Sequence, residues 1–154
     1  TFSYLADRIA GRMRTASRAG RTVTVRVRFL GLHSVTRSVT LPLGVSSTLT
    51  LTEIAIELAE IALAPHHAER EVTLLAISVG NLTDDHALQL ELPLGSDDKI
   101  RPGSAAGSAR WCVDRSLDEV RARFGRDAIG YARVMFSDAA RVPEAFRELA
   151  ERHP

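Results

Sequence analysis

From Thr22 to Phe29 the chain alternates strictly between polar and apolar side chains. A period of two puts Val23, Val25, Val27 and Phe29 on one face and Thr22, Thr24, Arg26 and Arg28 on the other, which predicts a half-buried strand over residues 21–29. Residues 34–42 (SVTRSVTLP) are β-branched and follow across a connection containing Gly31, so they predict an antiparallel partner that ends at Pro42. Upstream the period changes. Leu5, Ile9 and Met13, with Ala6 and Ala10 beside them, predict a helix over residues 3–16 whose arginines face outward and which Gly20 closes.

Thr50 and Glu53 have capping-box spacing, with Leu49 and Ile54 as a hydrophobic staple, so a second helix is expected from about Leu51 to Pro65. Ile54, Leu58 and Ile61 form its buried stripe. Residues 72–82 (VTLLAISVGNL) predict a largely buried strand. From Gly95 to Arg110 the composition turns to Gly, Ser, Ala and charge, which reads as a disordered linker. Beyond it a second capping box, Ser116 to Glu119, predicts a short helix with Leu117, Val120 and Phe124 inward and Gly125 as its stop. A last helix is expected over residues 143–151. The order helix, strand, strand, helix, strand gives an α+β class: a two-layer sandwich with two helices on one face of an antiparallel sheet and the other face open.

Composition narrows the function classes. The chain has 154 residues, 45% hydrophobic and 25% charged, enough for one compact domain with appendages. No apolar run reaches membrane-spanning length and the N-terminus lacks the pattern of a signal peptide. Cys112 is the single cysteine, which excludes an internal disulfide and fits a reducing cytoplasm. The net charge of +1 hides a polarity: residues 1–41 hold eight arginines and one acid (+7), residues 42–99 two bases and ten acids (−8), and the remainder ten and eight (+2). Concentrated basic charge is what a polyanion partner requires, although a solvated arginine surface has the same composition. Asp84-Asp85-His86, Asp97-Asp98 and His66-His67 lack the spacing of a metal site or an acid–base pair, and no glycine-rich phosphate loop or nucleophile elbow is present. No catalytic or metal-binding residue is assigned.

The segments AGRTVTVRVRF, HSVTRSVTLPL, EVTLLAISVGNL, QLELPL and LDEVRARFGRDAI together resemble the C-terminal part of bacterial Y-family translesion DNA polymerases of the polymerase IV type. That resemblance implies a little finger domain over residues 1–82 lacking its first strand, a clamp-binding peptide and flexible linker over 83–110, and a helical tail over 111–154. It implies that the open sheet face lies along duplex primer–template DNA. Arg26 and Arg28, about 6.6 Å apart on one face, would hold backbone phosphates, with hydroxyls from Thr36 and Ser38. Arg21 and Arg37 are weaker members, since alternation puts Arg37 on the side of Val35 and Val39.

The hexapeptide Gln89 to Leu94 matches the bacterial sliding-clamp-binding pattern. Gln89 and Leu90 lead, Leu92 and Leu94 supply apolar anchors, and Pro93 favours an extended backbone. Its bland alternative is a final strand or an apolar lid. Catalysis and its Mg2+ ions would belong to a palm domain, so the chain alone is expected to hold no cofactor, to be inactive, and to be monomeric. Two other readings share parts of the pattern: an inactive Y-family mutagenesis adaptor, and a stand-alone α/β interaction domain.

Overall fold

A computed structural model describes residues 1–66, 71–84 and 105–135. In chain order it contains α1 (Phe2–Thr15), β1 (Arg18–Phe29), β2 (Ser34–Val45), α2 (Thr48–Leu63), β3 (Val72–Asp84), α3 (Ala105–Phe124) and α4 (Ala132–Met135), with single 3-10 turns at Ala64–His66 and Arg126–Ala128. The three strands form an antiparallel sheet in the order β2-β1-β3. Helices α1 and α2 cover one face. This is the expected α+β two-layer arrangement.

The alternation in β1 sets the core. Val23, Val25 and Val27 are fully buried and Phe29 is 1% exposed. On the same face their partners include Val35, Val39, Leu75, Ile77 and Val79. From the helices, Ala6, Ala10 and Met13 of α1 and Leu51, Ala55, Leu58, Ala59 and Ala62 of α2 close the layer. Small alanines one turn apart let each helix approach the sheet. Ile61, expected in the stripe of α2, is 49% exposed because Ala62 takes the inward position.

Several boundaries differ from the sequence reading. α1 ends before Gly20: the chain turns at Ser17, which has φ 52, and Gly20 already lies in β1. Gly20 has a packing role instead, since a Cβ there would stand 2.1 Å from Val79 Cγ1. β2 continues past Pro42 to Val45. The register jumps from Thr22↔Thr40 to Gly20↔Val45, so residues 41–44 bulge, and a bulge on an edge strand tolerates a proline. β3 is also at an edge among the described strands, and it is only half-buried rather than a buried strand.

The largest difference lies beyond β3. Residues 105–110, expected to be disordered, open a helix of 20 residues, and Ser116 lies inside it rather than at its start. The division expected between residues 110 and 111 therefore falls within α3. Leu117 is buried as expected, but Phe124 is 69% exposed. The expected helix over residues 143–151 lies outside the described residues.

α3 rests on α1 and the start of α2 through buried charge. Arg14, read as outward-facing, is buried. It makes a two-pronged ion pair with Asp118, with Nε to Oδ2 at 2.5 Å and Nη2 to Oδ1 at 3.0 Å, and lies 3.6 Å from Asp114. Its Nη1 also donates to the carbonyl of Ser46 and to Thr48 Oγ1. Burial acts to lower the Arg14 pKa, yet the bond to Asp118 and the charges of Asp114, Asp118 and Asp7 outweigh it and raise the pKa above its ordinary value.

Asp114, fully buried, caps α2 from another element: its Oδ2 accepts the Thr48 backbone N–H at 2.9 Å, and its Oδ1 accepts the Tyr131 hydroxyl at 3.0 Å. The expected box at Thr50 is therefore not the start of the helix. α2 begins at Thr48 after Ser47, whose side chain makes no cap bond. Glu53 instead accepts both Nη groups of Arg110, at 2.6 and 2.8 Å. Arg121 completes the seam by donating to the buried Asp7 at 3.1 Å.

Candidate nucleic-acid interface

The face of the sheet opposite α1 and α2 is built from the even-numbered positions of β1 and their partners. Across the three strands the rows read Ser34, Arg28, Leu74; then Thr36, Arg26, Ala76; then Ser38, Thr24, Ser78; then Thr40, Thr22, Gly80. Cross-strand partners share a face, so two guanidiniums and a field of hydroxyls stand together. No carboxylate occurs in these rows. Next along the same parity, Arg18 pairs with Asp84 at 2.8 Å, which neutralises that end of the sheet. Uncompensated positive charge is thus gathered at the other end, at Arg26 and Arg28.

These two arginines are held loosely. Arg26 Nη2 reaches Ser34 Oγ at 3.4 Å and Arg28 Nε reaches Thr73 Oγ1 at 3.4 Å. Both contacts are at the long limit of hydrogen bonding, with neutral hydroxyls that an anion can displace. The hydroxyl rows are better ordered: Thr22 and Thr40 share a hydrogen bond at 3.0 Å, and Asn81 Nδ2 donates to Thr22 Oγ1 at 2.8 Å. Asn81 belongs to the opposite parity but has φ 51, and that left-handed backbone accompanies a side chain that reaches this face. Sequence reading missed Asn81, because alternation alone points it away.

The six arginine, threonine and serine positions singled out in the sequence divide into two groups. Arg26, Arg28, Thr36 and Ser38 share the open face. Arg37 is opposite Val25, on the parity of the core, and is exposed only because β2 is an edge; its Nη1 donates to the Thr36 carbonyl at 3.1 Å. Arg21 also lies on that parity, and its Nε donates to the carbonyl of Leu41 in the bulge at 3.1 Å. The hexapeptide residues Gln89, Leu90, Leu92 and Leu94 lie outside the described residues. His66, of the discounted His66-His67 pair, packs its ring 5.1 Å from that of Phe29. Among the described residues no group of three or more potential metal ligands occurs, and no helix is long and apolar enough to cross a membrane.

Comparison with known proteins places the chain in a family. Over 153 residues, 99% of its length, the chain is 52% identical to DNA polymerase IV 2 of Mesorhizobium japonicum, and it spans 37% of that protein. The match continues through the residues of α3. Residues 1–92, which contain α1 to β3 and the first four residues of the hexapeptide, match the impB/mucB/samB family C-terminal domain. The chain belongs to the impB/mucB/samB family and carries its C-terminal domain, as the resemblance in its sequence implied.

Proposed function

We propose that this chain is the DNA-holding and clamp-tethering portion of a translesion DNA polymerase. The observation that carries the reading is the open sheet face: Arg26 and Arg28 side by side, Thr36, Ser38, Thr24 and Thr22 around them, and no carboxylate in the rows they form. Guanidiniums paired only with hydroxyls suit phosphate oxygens, which accept charge-assisted hydrogen bonds, and phosphate contacts give a grip independent of sequence. Primer–template duplex would lie across β1. Arg37 of the edge strand β2, and Arg21 of β1, whose side chain reaches Leu41 of β2, would take part only where the duplex overhangs that edge.

The hexapeptide at residues 89–94 supplies the tether. An extended Gln-Leu-x-Leu-x-Leu segment offers Gln89 to a polar rim and Leu92 and Leu94 to an apolar pocket of the bacterial sliding clamp. Each fully buried leucine contributes roughly 1.5–3 kcal/mol before ordering costs are subtracted. The tether raises the effective concentration of the polymerase on DNA without altering its chemistry. Nucleotidyl transfer and its metal ions belong to the remainder of the polymerase in this reading, and the setting is the bacterial cytoplasm.

The test is duplex binding measured across a salt series. Replacing Arg26 and Arg28 by alanine should weaken binding on every sequence alike and lower the slope of log K against log salt by about two. An unchanged slope would remove the sheet from the interface. Separately, Leu92→Ala with Leu94→Ala should abolish capture by the sliding clamp and leave duplex affinity intact; undiminished capture would remove the tether.

A further inference from the structure

The turn between β1 and β2 presents two leucines to solvent. Leu30 is 65% exposed and Leu32 75%. Leu32 also has φ 62, a backbone conformation that glycine or asparagine enters more readily than leucine. Neither side chain serves the core, and a polar residue at 32 would suit both the backbone and the solvent better. The fold alone gives no reason for leucine at either position.

The turn is held rigidly. The Phe29 N–H donates to the His33 carbonyl at 2.9 Å, Leu32 N–H to the Phe29 carbonyl at 3.0 Å, and Leu30 N–H to the Glu71 carbonyl at 3.1 Å. Behind it the rings of Phe29, His33 and His66 cluster with centroids 5.1–6.0 Å apart. Arg28 and Ser34, the endmost cross-strand pair of the open face, flank the turn on its two sides. Arginine pair and leucine tip therefore form one continuous surface at this end of the sheet, with the exposed Glu71 beside Leu30 as the acid nearest the tip in sequence pairing.

We propose that Leu30 and Leu32 contact the same duplex that Arg26 and Arg28 hold, resting in a groove against the carbon atoms of sugars and base edges. This rests on the phosphate-gripping reading above, and the partner follows from charge complementarity and from continuity with that face. A preorganised tip loses little freedom on binding. Apolar contact displaces water rather than counterions, so the leucines supply a part of the affinity that salt does not weaken, beside the arginine part that it does.

Anisotropy titrations of a labelled duplex with the full chain, repeated across salt concentrations, separate the two parts. The variant Leu30→Ala/Leu32→Asn should bind about five- to tenfold more weakly at every salt concentration. Its salt slope should stay unchanged, and it should melt no lower than the parent, since asparagine accepts the Leu32 backbone. If Arg26→Ala/Arg28→Ala weakens and flattens binding while the leucine variant binds like the parent, the tip proposal is overturned and the sheet reading stands. If neither variant differs from the parent, both are overturned. A leucine variant whose loss comes with a reduced slope or a lowered melting temperature would also overturn the proposal, because the leucines would then act through the arginines or the fold.

Discussion

Replacing Asp114 by alanine asks whether α3 is an integral part of the domain. The substitution removes three things at once: the acceptor for the Thr48 N–H at the start of α2, the acceptor for the Tyr131 hydroxyl, and a charge 3.6 Å from the buried guanidinium of Arg14. Loss of a helix cap costs about 0.5–2 kcal/mol. Stripping one partner from a buried ion pair costs about 3–5 kcal/mol, but Arg14 keeps its two-pronged contact with Asp118. The lower end of that range therefore applies, and with the cap the total should be about 4 kcal/mol. For a chain of this size that corresponds to a fall in Tm of roughly 8–16 °C. Asp114→Asn retains one acceptor and the volume but loses the charge, so it should fall between. Urea titration followed by circular dichroism gives both values, and hydrogen exchange at the Thr48 amide reports the cap itself. A stability for Asp114→Ala within about 0.5 kcal/mol of the parent, the range of ordinary surface substitutions, would refute the view that this carboxylate anchors the tail.

Other substitutions probe separate parts of the account. Gly20→Ala places a Cβ 2.1 Å from Val79 Cγ1 and should destabilise the domain by about 1–3 kcal/mol, measured by thermal melting; an unchanged Tm would contradict the close approach of β1 to β3. Arg110→Ala breaks a pair whose Glu53 side chain is 57% exposed, so the loss should stay below about 1 kcal/mol. Tyr131 predicts a pH dependence. Burial, the charge of Asp114 and the bond to it raise its pKa above the ordinary 10.0. The folded state then holds the phenolic proton more tightly than the unfolded chain, so its contribution is complete below about pH 10 and is lost as pH rises through the alkaline range. Tyr131→Phe should flatten that alkaline decline in urea titrations, and an identical decline in both proteins would count against it.

What could be read from the sequence was what repeats locally. Residues 22–29 alternate because β1 is the central strand, with one face packed on helices and the other open, and that division reaches the polar face through partners such as Thr36 and Ser38. Arg14 could not be recognised in this way. It occurs among other arginines on α1, and its partners Asp114 and Asp118 lie about a hundred residues further on, so no short-range period marks it. The same contacts explain why local capping signals misplaced two helix starts. Thr50 and Glu53 have the right spacing, but the carboxylate that meets the first turn of α2 comes from Asp114. Asp118 in the second box is engaged by Arg14. Residues 105–110 looked like linker from their Gly and Ser, whereas their alanines favour helix and Arg110 fastens them to Glu53.

The central claim is that duplex DNA lies on the open sheet face, and NMR titration of the isotope-labelled chain with a short duplex tests it most directly. The account predicts shifts concentrated at Thr22, Thr24, Arg26, Arg28, Thr36 and Ser38, with Ala6, Leu51 and Leu117 of the helical side unmoved. Shifts confined to α1, α2 and α3, with β1 silent, would contradict it.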